Sequence, residues 1–182
     1  IGNTNNQNTL VSMKESPPYN KNADAISCTY YHTAVLLDSG RVMTCGLNNS
    51  GQLGNGKSGS NEKEETLVSM KANVSSYSGS NAVAISCGHD HTAVLLDTDE
   101  VMVCGDNQYG QLGIGNEGNK NILVSMTENV PYNKNALAIS CGYYHTSVLL
   151  NTGEVISCGR NTVGVMGNDT NDNQFVFTTS MF

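Results

Sequence analysis

The chain has 182 residues, with 16 acidic against 9 basic side chains, a net charge of −7, 38% apolar residues and only 14% charged ones. Its polarity comes from uncharged groups, 24 Asn and 19 Gly foremost, a balance that suits short strands and tight turns and excludes long helices. Apolar runs as short as Thr33-Ala34-Val35-Leu36-Leu37 exclude a membrane-spanning helix, and two arginines, Arg41 and Arg160, on an acidic chain exclude a nucleic-acid-binding stripe.

In chain order, Ile1-Gly2-Asn3 aligns with Ile114-Gly115-Asn116, so residues 1–13 read as the end of a preceding repeat, closing on Leu10-Val11-Ser12-Met13. Three repeats follow, over 14–70, 71–126 and 127–182. Each opens with a variable connection and enters an Ile-Ser-Cys strand ending at Cys28, Cys87 or Cys141. A His-Thr pair stands four positions on, at His32, His91 and His145, and runs into Val-Leu-Leu. A polar turn then leads to a second Cys-Gly, at Cys45-Gly46, Cys104-Gly105 and Cys158-Gly159, always 17 residues after the first Cys. Asn-x-x-Gly-Gln-Leu-Gly comes next, degenerate in the third copy as Gly164-Val165-Met166-Gly167, and Leu-Val-Ser-Met closes the unit. The closing methionines are 57, 56 and 55 residues apart. A strand–turn–strand pattern at this period suits a propeller blade of about four short strands.

The consensus Cys-Gly-x-x-His-Thr-x-x-Leu-Leu, followed by Cys-Gly-x-Asn-x-x-Gly-Gln-Leu-Gly, resembles the repeat of the regulator of chromosome condensation family, in three copies filling the chain. Thr29 departs from it where Gly88 and Gly142 keep it, as do Val165 and Met166. The resemblance implies an all-β fold: a partial β-propeller of about three four-stranded antiparallel blades, from a ring normally of seven. Since both termini interrupt a repeat, the sequence is expected to be a fragment of a longer chain, with further blades from that chain or from neighbouring copies packing on its ends.

Two cysteines and a histidine per repeat invite a metal reading, but a tetrahedral site needs a fourth ligand and no Cys-x-x-Cys knuckle occurs. The simpler expectation is that the cysteines are small buried hydrophobes and that each His orders a turn by hydrogen bonding, with no metal and no cofactor. A register centred on Asp97–Glu100 sets Cys104 opposite Ala93 and Cys87 opposite Thr92, with the thiols on opposite faces, which disfavours a bridge within one blade. Gly46, Gly105 and Gly159 are expected at strand ends where φ is positive or backbones approach closely. Glu62-Lys63-Glu64-Glu65 reads as a solvated loop.

The sequons at Asn48, Asn73 and Asn168 are candidate N-glycosylation acceptors and lean the reading toward an extracellular or cell-surface setting, with Asn48 also serving its own turn motif. A recurring His-Thr pair is better explained by the blade's architecture than by catalysis, so no enzyme is expected. Partner contacts should lie where copies differ. The variable connections carry Tyr19, Tyr77 and Tyr132, candidate anchors for a protein partner. The leading functional expectation is a non-enzymatic protein-binding or scaffolding module. The alternatives are a structural subunit of a secreted, cell-surface or virion assembly, and an exchange factor for a small GTPase, one of the activities the resemblance implies.

Overall fold

The computed structural model describes residue 13 and residues 22–72, 79–126 and 136–180. These form β1 (Ala23–Cys28), β2 (His32–Leu37), β3 (Val42–Leu47) and β4 (Lys63–Ser69) in the first repeat. The second holds β5 (Ala82–Cys87), β6 (His91–Leu96), β7 (Val101–Gly105) and β8 (Lys120–Ser125). The third holds β9 (Ala136–Cys141), β10 (His145–Leu150), β11 (Val155–Gly159) and β12 (Gln174–Thr179). Each repeat makes one four-stranded antiparallel sheet with its strands in chain order, a blade.

The apolar run after each His-Thr pair makes sense once the blades are stacked. Side chains alternate between the faces of a strand. In β6, Val94 and Leu96 pack into the core shared with the first blade, while Ala93 and Leu95 pack into the core shared with the third. A strand sandwiched on both sides needs no polar face, and all six residues of β6 are buried. Each fully buried Val or Leu contributes roughly 1.5–3 kcal/mol.

The turn between the second and third strands sets the register. Gly40, Asp99 and Gly153 sit there with φ of 73°, 61° and 88°, and Leu96 N–H donates to the Glu100 carbonyl. This left-handed residue closes a three-residue turn, Asp97–Asp99 in the second blade, one residue shorter than the Asp97–Glu100 turn expected, as in a bulged hairpin. Cys104 therefore pairs with Thr92 instead of the expected Ala93, and Cys87 pairs with Thr92 from the other side. The same holds for Cys28 and Cys45 across Thr33, and for Cys141 and Cys158 across Thr146. The two thiols of a blade thus share a face, contrary to expectation. They lie two strands apart, about 10 Å, beyond the reach of a disulfide. All six cysteines are free thiols. Burial, the chief cause, pushes the Cys87 thiol up to about 12 and also raises Cys45, Cys104, Cys141 and Cys158. Cys28 is exposed, so it is not the buried hydrophobe expected.

The charge run is a correction too. Lys63, Glu64 and Glu65 begin β4 instead of a loop. The Glu64 carboxylate accepts from Asn55 Nδ2 at 3.0 Å and from Lys57 Nζ at 2.9 Å.

Candidate binding surface

Each His-Thr pair is part of a junction between blades. Thr92 Oγ1 donates to the Gln52 carbonyl at 2.7 Å, and its single proton is thereby committed. The hydroxyl must then accept from His32 Nε2–H, 2.9 Å away in the preceding blade. Thr146 repeats this, donating to the Gln111 carbonyl at 2.7 Å and accepting from His91 Nε2–H at 3.0 Å. The expectation that each His orders its own turn is met only in part, by His32, whose Nδ1 accepts from Thr29 Oγ1 at 3.2 Å. Burial is the main cause that lowers His32 to about 4 and His91 to about 3, and neighbouring histidines add to it. His145 is also lowered by burial.

The Asn-x-x-Gly-Gln-Leu-Gly motif aims the carbonyl that Thr meets. Asn48 Oδ1 accepts the Leu53 N–H at 3.0 Å, Asn107 Oδ1 that of Leu112 at 2.9 Å, and Asn161 Oδ1 that of Met166 at 3.1 Å. Asn48 is fully buried, and its Nδ2 donates to Asn55 Oδ1 and the Lys57 carbonyl. A glycan on that amide would disrupt these bonds and could not be housed at a buried position, so glycosylation of Asn48 is incompatible with this packing. Asn168 is half-buried, its Oδ1 accepting from Asn161 at 3.0 Å. Asn73, Tyr19, Tyr77 and Tyr132 lie outside the described residues.

Gly46, Gly105 and Gly159 stand at equivalent positions with φ of 113°, 109° and 114°. A Cβ there would lie 2.3–2.4 Å from the carbonyl oxygens of Tyr31, Asp90 and Tyr144. The missing side chain lets the next residue, Leu47, Asp106 or Arg160, donate its N–H to that same carbonyl. Gly88 and Gly142 do not carry a positive φ. A Cβ on either would meet the imidazole of His91 or His145 at 2.0 Å.

These contacts hold three two-residue turns, Tyr30-Tyr31, His89-Asp90 and Tyr143-Tyr144, along one edge of the stack. Their rings form a ladder. Tyr30 meets Tyr31 edge to face at 4.7 Å, Tyr31 meets His89 at 4.9 Å, and His89 stacks on Tyr143 at 3.9 Å. Tyr143 meets Tyr144 at 4.3 Å, and Tyr109 extends the row, 5.1 Å from Tyr144. Arg160 lies over the Tyr109 and Tyr144 rings, 5.3 and 5.6 Å from their centroids. His89 is held by Asp90, whose Oδ2 is 2.7 Å from Nδ1, while Asp90 Oδ1 accepts from Gln52 Nε2 at 2.8 Å. Tyr30 is 86% exposed and Tyr143 57%, with Val163 at 81% nearby. Exposed rings thus flank the half-buried His89, an aromatic surface of the kind that protein partners use. The tyrosines of these turns are not the ones singled out from the sequence. The available signal was that these turns fill the two variable positions inside an otherwise repeated motif.

Family models described as the Regulator of chromosome condensation (RCC1) repeat match residues 39–95 and 99–149, and, in a second form, 23–52, 82–111 and 137–165. The probable E3 ubiquitin-protein ligase HERC4 of Rattus norvegicus is 34% identical over 94% of this chain and 20% of its own length. The X-linked retinitis pigmentosa GTPase regulator homolog of Caenorhabditis elegans is 35% identical over 80% of this chain and 10% of its own. The chain thus spans a fifth or less of these curated relatives. Among solved structures, Prp20p of Saccharomyces cerevisiae, described with its binding to Gsp1p and histones, superposes with a TM-score of 0.76 at 18% identity, over 88% of this chain and 38% of that one.

Proposed function

Because the chain belongs to the regulator of chromosome condensation (RCC1) repeat family, we propose that it is a non-enzymatic propeller segment that binds a protein partner through the ring ladder at the Tyr30-Tyr31, His89-Asp90 and Tyr143-Tyr144 turns. The exposed tyrosines carry this reading. Tyrosine supplies a large rigid contact area at low entropic cost, with a hydroxyl that stays satisfied at a wet rim. The non-enzymatic part rests on what the recurring His-Thr pairs do: at the two junctions within the chain His Nε2 and Thr Oγ1 are bonded to each other between blades.

The test is affinity capture from native extract with the wild-type chain, a Tyr30→Ser/Tyr143→Ser variant and a Tyr30→Phe/Tyr143→Phe control. Proteins held by the wild type and the Phe control but lost with the Ser variant support the ladder. Capture that is identical with all three contradicts it. The exchange-factor alternative is separated by following release of labelled guanine nucleotide from a small GTPase in the presence of the chain.

A further inference from the structure

Aromatic rings and carboxylates occur together in the ladder, and that combination has a chemical preference. The face of an aromatic ring carries negative charge density, which attracts a cation placed over it. The chain already uses this attraction on itself, since the Arg160 guanidinium lies over Tyr109 and Tyr144, 5.3 and 5.6 Å from their centroids. Tyr31, His89 and Tyr143 form the part of the row that crosses both blade junctions. The His89 ring is 4.9 Å from Tyr31 and 3.9 Å from Tyr143. Tyr31 is 41% exposed and Tyr143 57%, so a partner can reach both rings.

A counter-charge stands beside them. Asp90 Oδ2 is 2.7 Å from His89 Nδ1, which fixes the carboxylate against the row, and Oδ1 accepts from Gln52 Nε2 at 2.8 Å. Gln52 is neutral and each carboxylate oxygen has a second acceptor site, so Asp90 can still receive a charged donor. Its side chain is 23% exposed. Asp106 brings a second carboxylate close, its N–H donating to the Asp90 carbonyl. The charge is felt along the row: burial raises the Tyr144 hydroxyl first, then its tyrosine neighbours, and Asp90 adds to them. Backbone groups of the three turns are engaged within the blades, the N–H of Thr29, Gly88 and Gly142 with the carbonyls of His32, His91 and His145. Recognition at this edge therefore falls to side chains.

We propose that the ladder recognises a basic segment of its partner, an Arg or Lys side chain laid against the Tyr31 and Tyr143 rings with its charge toward Asp90. A guanidinium or ammonium there meets aromatic surface and a carboxylate together, and the net charge of −7 favours its approach. A neutral apolar segment would bury the rings but would also strip water from Asp90 without supplying a cation, which costs free energy. The proposal rests on the partner-binding reading of the ladder and names the chemistry of what it binds.

The test titrates the full chain with three defined peptides, Gly-Arg-Gly-Arg-Gly, Gly-Gln-Gly-Gln-Gly and Gly-Leu-Gly-Leu-Gly, and follows the Tyr31, His89 and Tyr143 ring resonances by NMR. Saturable shifts are expected with the Arg peptide, at an affinity about threefold or more above the other two. Tyr31→Phe/Tyr143→Phe should keep this preference. Tyr31→Leu/Tyr143→Leu should abolish it, because leucine keeps apolar area and lacks the ring. Asp90→Asn should weaken the Arg peptide about twofold or more and leave the Leu peptide unchanged. If its melt shows that the turn has loosened, the Phe and Leu pair at the exposed rings decides. Equal binding of the Arg and Leu peptides overturns the proposal, as does the absence of ring shifts with any peptide. So does a response to the Arg peptide led by the Asp38 and Asp97 turns at the far end of the strands, which would show attraction to net charge alone. The basic preference can fail in these ways while the ladder still holds a partner. The ladder itself fails when the Tyr30→Ser/Tyr143→Ser chain captures the same proteins as the wild type.

Discussion

Replacing Thr146 with Val tests the junction chemistry with almost no change of shape. Thr146 is completely buried, as is His91, and Gln111 is 1% exposed. The substitution keeps the side-chain volume and removes one hydroxyl. That hydroxyl accepts from His91 Nε2–H at 3.0 Å and donates to the Gln111 carbonyl at 2.7 Å. Both partners would be stranded out of reach of water, and each buried group left unsatisfied costs about 1–3 kcal/mol. No cavity forms, so the expected loss is about 3 kcal/mol, or roughly 6–12 °C in Tm for a chain of this size. Thr33→Val is the matched control, because Thr33 holds the same motif position but is only half-buried. It should cost less than about 1 kcal/mol, as partly exposed substitutions usually do. Urea and thermal melts followed by circular dichroism give both values. Equal losses for the two variants, or a loss below about 0.5 kcal/mol for Thr146→Val, would refute the idea that the relay holds the blades together.

The remaining predictions draw on other contacts. Gly105→Val should lower stability by about 2 kcal/mol or more in a urea melt, since a side chain there requires an unfavourable φ and strikes the Asp90 carbonyl. Stability should fall with acid: His32 and His91 titrate near 4 and 3 in the folded chain against about 6.5 when unfolded, so the unfolded chain binds more protons below 6.5. Stability is therefore complete above pH 6.5 and is lost as pH falls toward 4 and 3, by up to about 3 kcal/mol for His32 alone, and a flat melting profile between pH 7 and 4.5 would contradict this. Tyr30→Ser/Tyr143→Ser should leave Tm within a few degrees of wild type, because Tyr30 and Tyr143 are 86% and 57% exposed; a collapse in Tm would make the ladder a structural element. Metal chelators should leave the melt unchanged, and loss of structure on chelation would reverse the reading of the His and Cys residues.

Much of the blade could be read from sequence because a blade is local. Val35-Leu36-Leu37 and its counterparts announce a strand buried on both faces, and the turn residues mark the hairpins that pair it. What could not be read depends on contacts between repeats or on one residue of register. The His-Thr pair looked like a local turn device because its partners, His32 with Thr92 and His91 with Thr146, lie 60 and 55 residues apart. The thiol geometry differs for a smaller reason: the left-handed Asp99 closes a three-residue turn, one residue shorter than expected, and moves Cys104 from Ala93 to Thr92. The ladder was overlooked because Tyr30-Tyr31, His89-Asp90 and Tyr143-Tyr144 are unremarkable dipeptides until stacking aligns them on one edge.

That edge is where the account is most exposed to test. A photo-reactive residue placed in turn at Tyr30, Tyr143 and Val163, and at Asp38, Asp97 and Thr152 in the turns at the far end of the same strands, would map the partner by cross-linking from native extract. Strands of six residues separate the two edges by about 20 Å, enough to distinguish them. Cross-links to a common protein from Tyr30, Tyr143 and Val163, with none from Asp38, Asp97 or Thr152, are the predicted result. Cross-links confined to the far turns would contradict it and move the binding surface to the opposite edge of the blades.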